Sequence, residues 1–132
     1  MTSKLPIIIA LIAGTSLGVG AVELLHAPDS SAAICTSPNV QAHSRTVMIM
    51  DGHVEPRITS GRLCDTVTIT NMDKVSREIA FGSHEAHVAY DGVAEKVLDG
   101  GRSFTITLNN VGDVRFHDHT HEEVEGHITV TN

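Results

Sequence analysis

The sequence predicts an all-β fold, an antiparallel Greek-key β-sandwich that follows an N-terminal hydrophobic segment. In Thr66-Val67-Thr68-Ile69-Thr70 and Phe104-Thr105-Ile106-Thr107-Leu108, apolar residues alternate strictly with threonine. That period of two sets one face of an antiparallel strand on a core and the other toward water. Turn residues punctuate the runs at Asp51-Gly52, Asn71, Asp91-Gly92, Asp99-Gly100-Gly101 and Asn109-Asn110. Several short strands at such spacing read as a sandwich or barrel. With aromatic residues at only 3% and no tryptophan, the core must come from Val, Ile, Leu and Ala, a composition that suits strands.

Taken in order, Met1 to Lys4 gives a short basic start, and Leu5 to Val22 runs without a charge. Gly14, Gly18 and Gly20 and the lack of an apolar stripe argue against a buried soluble helix. Residues 1–26 are therefore expected to be a signal peptide or membrane anchor, which makes the protein exported: periplasmic, cell-surface or secreted. Ala27 and Ala33 are both candidate cleavage ends, and Ile34 before Cys35 argues against lipidation. Residues 27–44, rich in Ser, Ala and Pro, read as a linker. The domain spans 45–132, with strands expected at 46–50, 65–71, 77–81, 103–108, 114–119 and 126–131. Val67, Ile69, Phe104, Ile106, Val114 and Phe116 are expected to face inward. Segment 85–98 breaks the rhythm and reads as a loop with one irregular helical turn. Cys35 and Cys64 suit either one disulfide in an oxidising compartment or two separate thiols.

The chain of 132 residues has room for one modest core. Its formal charge of -7 and the lack of a basic patch argue against nucleic-acid partners, since a phosphate-binding surface needs clustered Lys and Arg. Any membrane contact is expected only through the N-terminal segment.

Histidine carries the chemical signal. Of the 9 histidines, five fall into two groups, His84 with His87 and His117 with His119 and His121. Imidazole is the commonest metal ligand, and several neutral imidazoles select copper, zinc, nickel or iron over magnesium or calcium. Residues two apart on a strand share a face, so His117 and His119 can point together while Asp118 points away. His84 and His87 can approach from a neighbouring loop, with His121 as a fifth or replacement ligand. A single surface histidine is usually just solvated, and that reading stands for His26, His43, His53 and His127. Glu122, Glu123 and Glu125 offer a carboxylate ligand or merely a solvated acidic face. Asp118 reads as an acceptor that orients a ligating imidazole or as a strand-end cap. Met48, Met50 and Met72 form no Met-rich motif and read as ordinary strand and turn positions.

From Asp65 onward three stretches stand out: Asp-Thr-Val-Thr-Ile-Thr-Asn-Met-Asp (65–73), Gly-Gly-Arg-Ser-Phe-Thr-Ile-Thr-Leu (100–108) and the closing Gly-Asp-Val-Arg-Phe-His-Asp-His-Thr-His-Glu-Glu-Val-Glu-Gly-His-Ile-Thr-Val (112–130). On these the chain resembles the cupredoxins, the blue-copper-like family. Anchored on Gly126, the resemblance puts Asp118 at the position of the ligand Cys, His121 at a ligand His and Val124 at a ligand Met. Arg77 falls where a further ligand His is expected. Without a thiolate there is no Cu–S charge-transfer bond, so an intense blue colour and tuned electron transfer are not expected. The chain is similar to divergent cupredoxin-like domains with His-Asp-His near the last strand and His-x-x-His earlier. In the family the Cys position points into the sandwich, which implies that His117 and His119 face outward, under the 84–98 segment.

These readings converge on an extracytoplasmic protein that holds Cu(II) through His84, His87, His117, His119 and His121, for copper storage, handling or delivery. Its partners are a metal ion and a redox or copper-delivery protein. Zinc is the alternative metal. A cupredoxin-type electron carrier, a His-ligated copper or zinc enzyme and a metal-free interaction domain are the competing functions. No nucleophile, cofactor loop or acid pair supports an enzyme beyond the metal itself.

Overall fold

The computed structural model of the chain describes residue 35 and residues 40–132. The segment expected as signal peptide or anchor, 1–26, lies outside the described residues, as do 27–34 and 36–39 of the linker. Ten strands follow: β1 (Ser44–Met50), β2 (His53–Glu55), β3 (Ile58–Arg62), β4 (Thr66–Asn71), β5 (Arg77–Ser83), β6 (Ala86–His87), β7 (Glu95–Leu98), β8 (Ser103–Thr107), β9 (Gly112–Asp118) and β10 (His121–Thr131). They form two facing sheets, one ordered β2-β1-β4-β8 and the other β3-β10-β9-β5-β6, with β7 also paired to β5. Two pairings are parallel, β1 with β4 and β3 with β10. Parallel neighbours need a crossover. Residues 51–65 supply the first by leaving β1, visiting the second sheet as β3 and returning as β4.

The core follows from the period of two. In β4, Val67, Ile69 and Asn71 are buried while Thr66, Thr68 and Thr70 are half-buried. Across the threonine face, the Thr68 and Thr105 hydroxyls lie 2.8 Å apart. Val47, Ile49, Val67, Ile69 and Ile106 of one sheet belong to the same buried cluster as Ile79, Phe81, Phe116, Ile128 and Val130 of the other. Phe81 packs edge-on against Phe104 at 6.4 Å and lies tilted against Phe116 at 6.3 Å, distances at which aromatic pairs add stability beyond their area. Of the residues expected inside, Phe104 and Val114 are only partly buried at the margin of this core. Gly126, opposite Phe116 on β10, is required by packing, since a Cβ there would lie 2.3 Å from the Phe116 ring.

Segment 85–98 contains no helical turn, contrary to expectation. Ala86 and His87 form β6, Tyr90 and Val93 close on each other with two backbone hydrogen bonds of 2.8 and 2.9 Å, and Glu95 to Leu98 form β7. The physical reason lies in Asp91 and Gly92, with φ of 49° and 76°. Two successive left-handed residues make a type I′ turn and cannot continue a right-handed helix. Asp51 and Gly52 do the same between β1 and β2, with φ of 53° and 72°. Cys35 and Cys64 are joined as a disulfide with a Cα separation of 5.0 Å.

Candidate metal centre

The site is built from two hairpins on the outer face of the larger sheet. Phe116 and Asp118 point inward along β9, so His117 between them points outward, next to its partner Ala80 on β5. Beyond β9 the chain turns at His119, whose N–H donates to the Glu78 carbonyl at 2.7 Å. The second hairpin depends on Gly82. At φ 92°, with the Ala86 carbonyl oxygen only 2.6 Å from the place of a Cβ, it lets β5 fold back at once into β6. His84 sits in that turn and His87 pairs with Gly82 itself.

Four imidazoles are thereby gathered. His84, His87, His117 and His119 each offer a ligand atom within 4.8 Å of the others. His119 Nδ1 lies 3.2 Å from His87 Nε2, and the His84 and His119 rings stack at 4.8 Å. His117 is wholly buried, yet neither of its ring nitrogens has a hydrogen-bond partner among the described residues, and Nδ1 of His84 is likewise buried and unpartnered. Leaving such groups unsatisfied costs about 1–3 kcal/mol each, so the arrangement suits an acceptor of nitrogen lone pairs. Burial, followed by the positive charges of His87, Arg115, His84 and His119, pushes His117 below the ordinary histidine range. Its ring is held neutral, the form that ligates a metal.

Two carboxylates border the group. Glu95 on β7 contacts His87 Nδ1, and Glu122 on β10 lies 3.4 Å from His84 Nε2. Of the other acids in that run, Glu125 pairs with Arg57 and Arg115, and Glu123 is exposed. Glu95 carries no signal in the sequence. Only the pairing of β7 with β5, in a stretch read as a loop, brings it there.

His121 does not join the four. The turn at 119–120 sets His121 opposite Asp118, and residues paired across a hairpin share a face. Its Nδ1 accordingly lies 3.4 Å from Asp118 Oδ2 and 3.0 Å from the Thr120 hydroxyl. The parity that joins His117 to His119 holds only along a continuous strand, and the chain reverses before His121.

No family model matches the sequence, and no curated protein matches it. Solved structures do match. A purple cupredoxin from Nitrosopumilus maritimus superposes with a TM-score of 0.57 at 20% identity, over 69% of this chain and 100% of its own. The fold is that of a cupredoxin. The reduced state of an amicyanin variant gives a TM-score of 0.55 at 19% identity, over 70% of this chain and 86% of its own. A reduced Cu(I) form of another amicyanin variant at pH 4 gives 0.56 at 19%, with the same coverage.

Within this cupredoxin fold, two of the four positions that the sequence resemblance aligns with the usual copper ligands, Arg77 and Asp118, hold an ion pair. Arg77 Nη1 lies 3.0 Å from Asp118 Oδ2, with Asp73 on the other side of the guanidinium at 2.6 Å. Burial pushes the Asp118 carboxyl up, but hydrogen bonds from Arg77, from the Thr120 hydroxyl and N–H, and from the Glu78 N–H outweigh it and hold the group below the carboxylate range. The Asp118 oxygens are already engaged by the guanidinium and by the Thr120 and Glu78 donors, so a metal ion there would have to displace them. The four-histidine group lies on the opposite face of β9.

Proposed function

We propose that this protein binds Cu(II) through His84, His87, His117 and His119, and serves copper storage, handling or delivery outside the cytoplasm. The observation that carries the reading is buried His117, with two unpartnered nitrogens among three further imidazoles. An all-imidazole set suits Cu(II), which stands above zinc in divalent affinity, and nitrogen donors in tetragonal arrangement are characteristic of it. When bound, the ion supplies a Lewis-acidic centre with accessible one-electron chemistry. The protein's part is to hold neutral imidazoles in place and to exclude water from His117. The absence of a thiolate among the four argues against a tuned electron carrier. The disulfide supports an oxidising compartment, and the apolar run at 5–22 supports export. A delivery role implies a protein partner that receives the ion.

The test is titration of purified protein with Cu(II) and, separately, Zn(II), with electron paramagnetic resonance of the copper form. One tight Cu(II) with nitrogen hyperfine structure is expected, weaker zinc binding, and loss of stoichiometric Cu(II) in the His117→Ala, His119→Ala double variant with the fold retained. A double variant that still binds one tight Cu(II) refutes the assignment.

A further inference from the structure

Glu95, His87 and His119 stand in a chain of contacts that the metal reading alone does not require. His87 Nδ1 meets Glu95 Oε1, while the opposite nitrogen of the same ring, Nε2, lies 3.2 Å from His119 Nδ1. Glu95 is fixed by sheet register: it pairs with Ala80, which pairs with His117 on its other side. Paired residues share a face, so the carboxylate stands in the same outward row as His117, separated from it only by the methyl group of Ala80. His87 is largely buried and bridges that row. A solvated carboxylate–histidine pair contributes little, but a hydrogen bond to one nitrogen of a ring whose other nitrogen faces ligands fixes its tautomer and orientation.

We infer that Glu95 is a positioning residue of the centre, accepting the Nδ1 proton of His87 and so holding that imidazole with its Nε2 lone pair toward the metal. This rests on the copper reading above. Glu122 has no equivalent role, since it approaches His84 Nε2 only to 3.4 Å without a hydrogen bond and is mostly exposed.

The experiment compares wild type, Glu95→Ala, Glu95→Gln and, as a control for loss of one acid, Glu123→Gln. Nitrogen-15 NMR of the metal-free protein reads the His87 tautomer. Cu(II) titration and electron paramagnetic resonance read affinity and ligand field. In wild type the His87 proton is expected on Nδ1, and Glu95→Ala should lose that preference. Its Cu(II) affinity should fall about 10- to 100-fold with altered nitrogen hyperfine structure. Glu95→Gln keeps an acceptor oxygen and should fall between, while Glu123→Gln should match wild type. Unchanged affinity and tautomer in Glu95→Ala overturn the inference alone. So does a loss in Glu123→Gln equal to that in Glu95→Ala, because bulk charge would then be the cause. Wild-type protein that takes up no Cu(II) overturns the copper reading and this inference with it.

Discussion

Arg77 and Asp118 form a buried ion pair at 3.0 Å between β5 and β9, with Asp118 wholly buried and Arg77 only 7% exposed. Every polar atom around it is used. The guanidinium also reaches Asp73, and the Asp118 carboxylate also accepts from Thr120 and Glu78. Asp73 in turn accepts from the N–H groups of Asp51 and Gly52. The network thus ties the β1–β2 turn of one sheet to the strand of the other sheet that carries His117 and leads into the turn with His119.

Removing the guanidinium alone should be worse than replacing both partners. Arg77→Met leaves the buried Asp118 carboxylate without a counter-ion and should lower stability by about 3–5 kcal/mol, Asp118→Ala should cost less because Asp73 still pairs the guanidinium, and the Arg77→Met, Asp118→Leu double variant should recover part of the Arg77→Met loss. Urea unfolding of the three proteins checks this. Single variants within ~1 kcal/mol of wild type would show that the pair is solvated in practice and contributes little.

Legibility in the sequence follows local regularity. Val67 and Ile69 are readable as core because β4 keeps its alternation along its whole length, and the same rule sends His117 and Phe116 to opposite faces. The rule fails wherever the chain reverses, as at His121. It is silent on β2, β3 and β7, which are short and whose polar residues give no clear period. Ile58 is 68% and Val97 63% exposed, so apolar content there says nothing about the core. The meeting of His84 with His119 depends on long-range strand order, and only the resemblance to a known fold brings the 84–98 segment to β9.

Asp65 should make the protein acid-sensitive. Burial pushes its carboxyl up, but the backbone N–H groups of Arg62 and His43, with the charges of Arg45 and His43, hold it below the ordinary range. A carboxyl with a folded pKa below the unfolded value of about 3.9 contributes stability that is complete above that value and lost as pH falls through the folded one. Asp65→Asn should therefore be less stable than wild type at pH 7, and the gap should close below about pH 4. Urea midpoints measured from pH 7 to pH 2 decide the matter. A gap independent of pH would assign the effect of Asp65 to packing.

The disulfide closes a loop with a sequence separation of 29. In the chain-entropy account such a crosslink stabilises by roughly 3–4 kcal/mol through the unfolded state. The Cys35→Ala, Cys64→Ala double variant should lose about that much in urea unfolding while keeping its far-ultraviolet circular dichroism. Equal stability of wild type under oxidising and reducing conditions would show that the bridge contributes nothing.

Gly82 couples the backbone to the metal centre, and its replacement should separate site from fold. An alanine there meets two penalties: a φ of 92°, which L side chains rarely adopt, and a Cβ placed 2.6 Å from the Ala86 carbonyl oxygen and 3.1 Å from the Val88 nitrogen. Both neighbours are backbone, so the hairpin itself must shift, at a cost of order 1–3 kcal/mol for the strained dihedral alone. β6 is held to β5 by only two residue pairs at the edge of the sheet, so the distortion stays with His84 and His87. His117 remains on β9 beside Ala80. Gly82→Ala should accordingly lower Cu(II) affinity by more than about tenfold while far-ultraviolet circular dichroism and cooperative unfolding persist. Gly92→Ala is the matched control: φ is 76°, but nothing lies within 4 Å of the new methyl group and its turn carries no histidine. It should cost of order 1 kcal/mol of stability and leave copper binding unchanged. If Gly82→Ala binds Cu(II) as tightly as wild type, the 82–87 hairpin does not deliver ligands to the centre, and His84 and His87 must be removed from the ligand set.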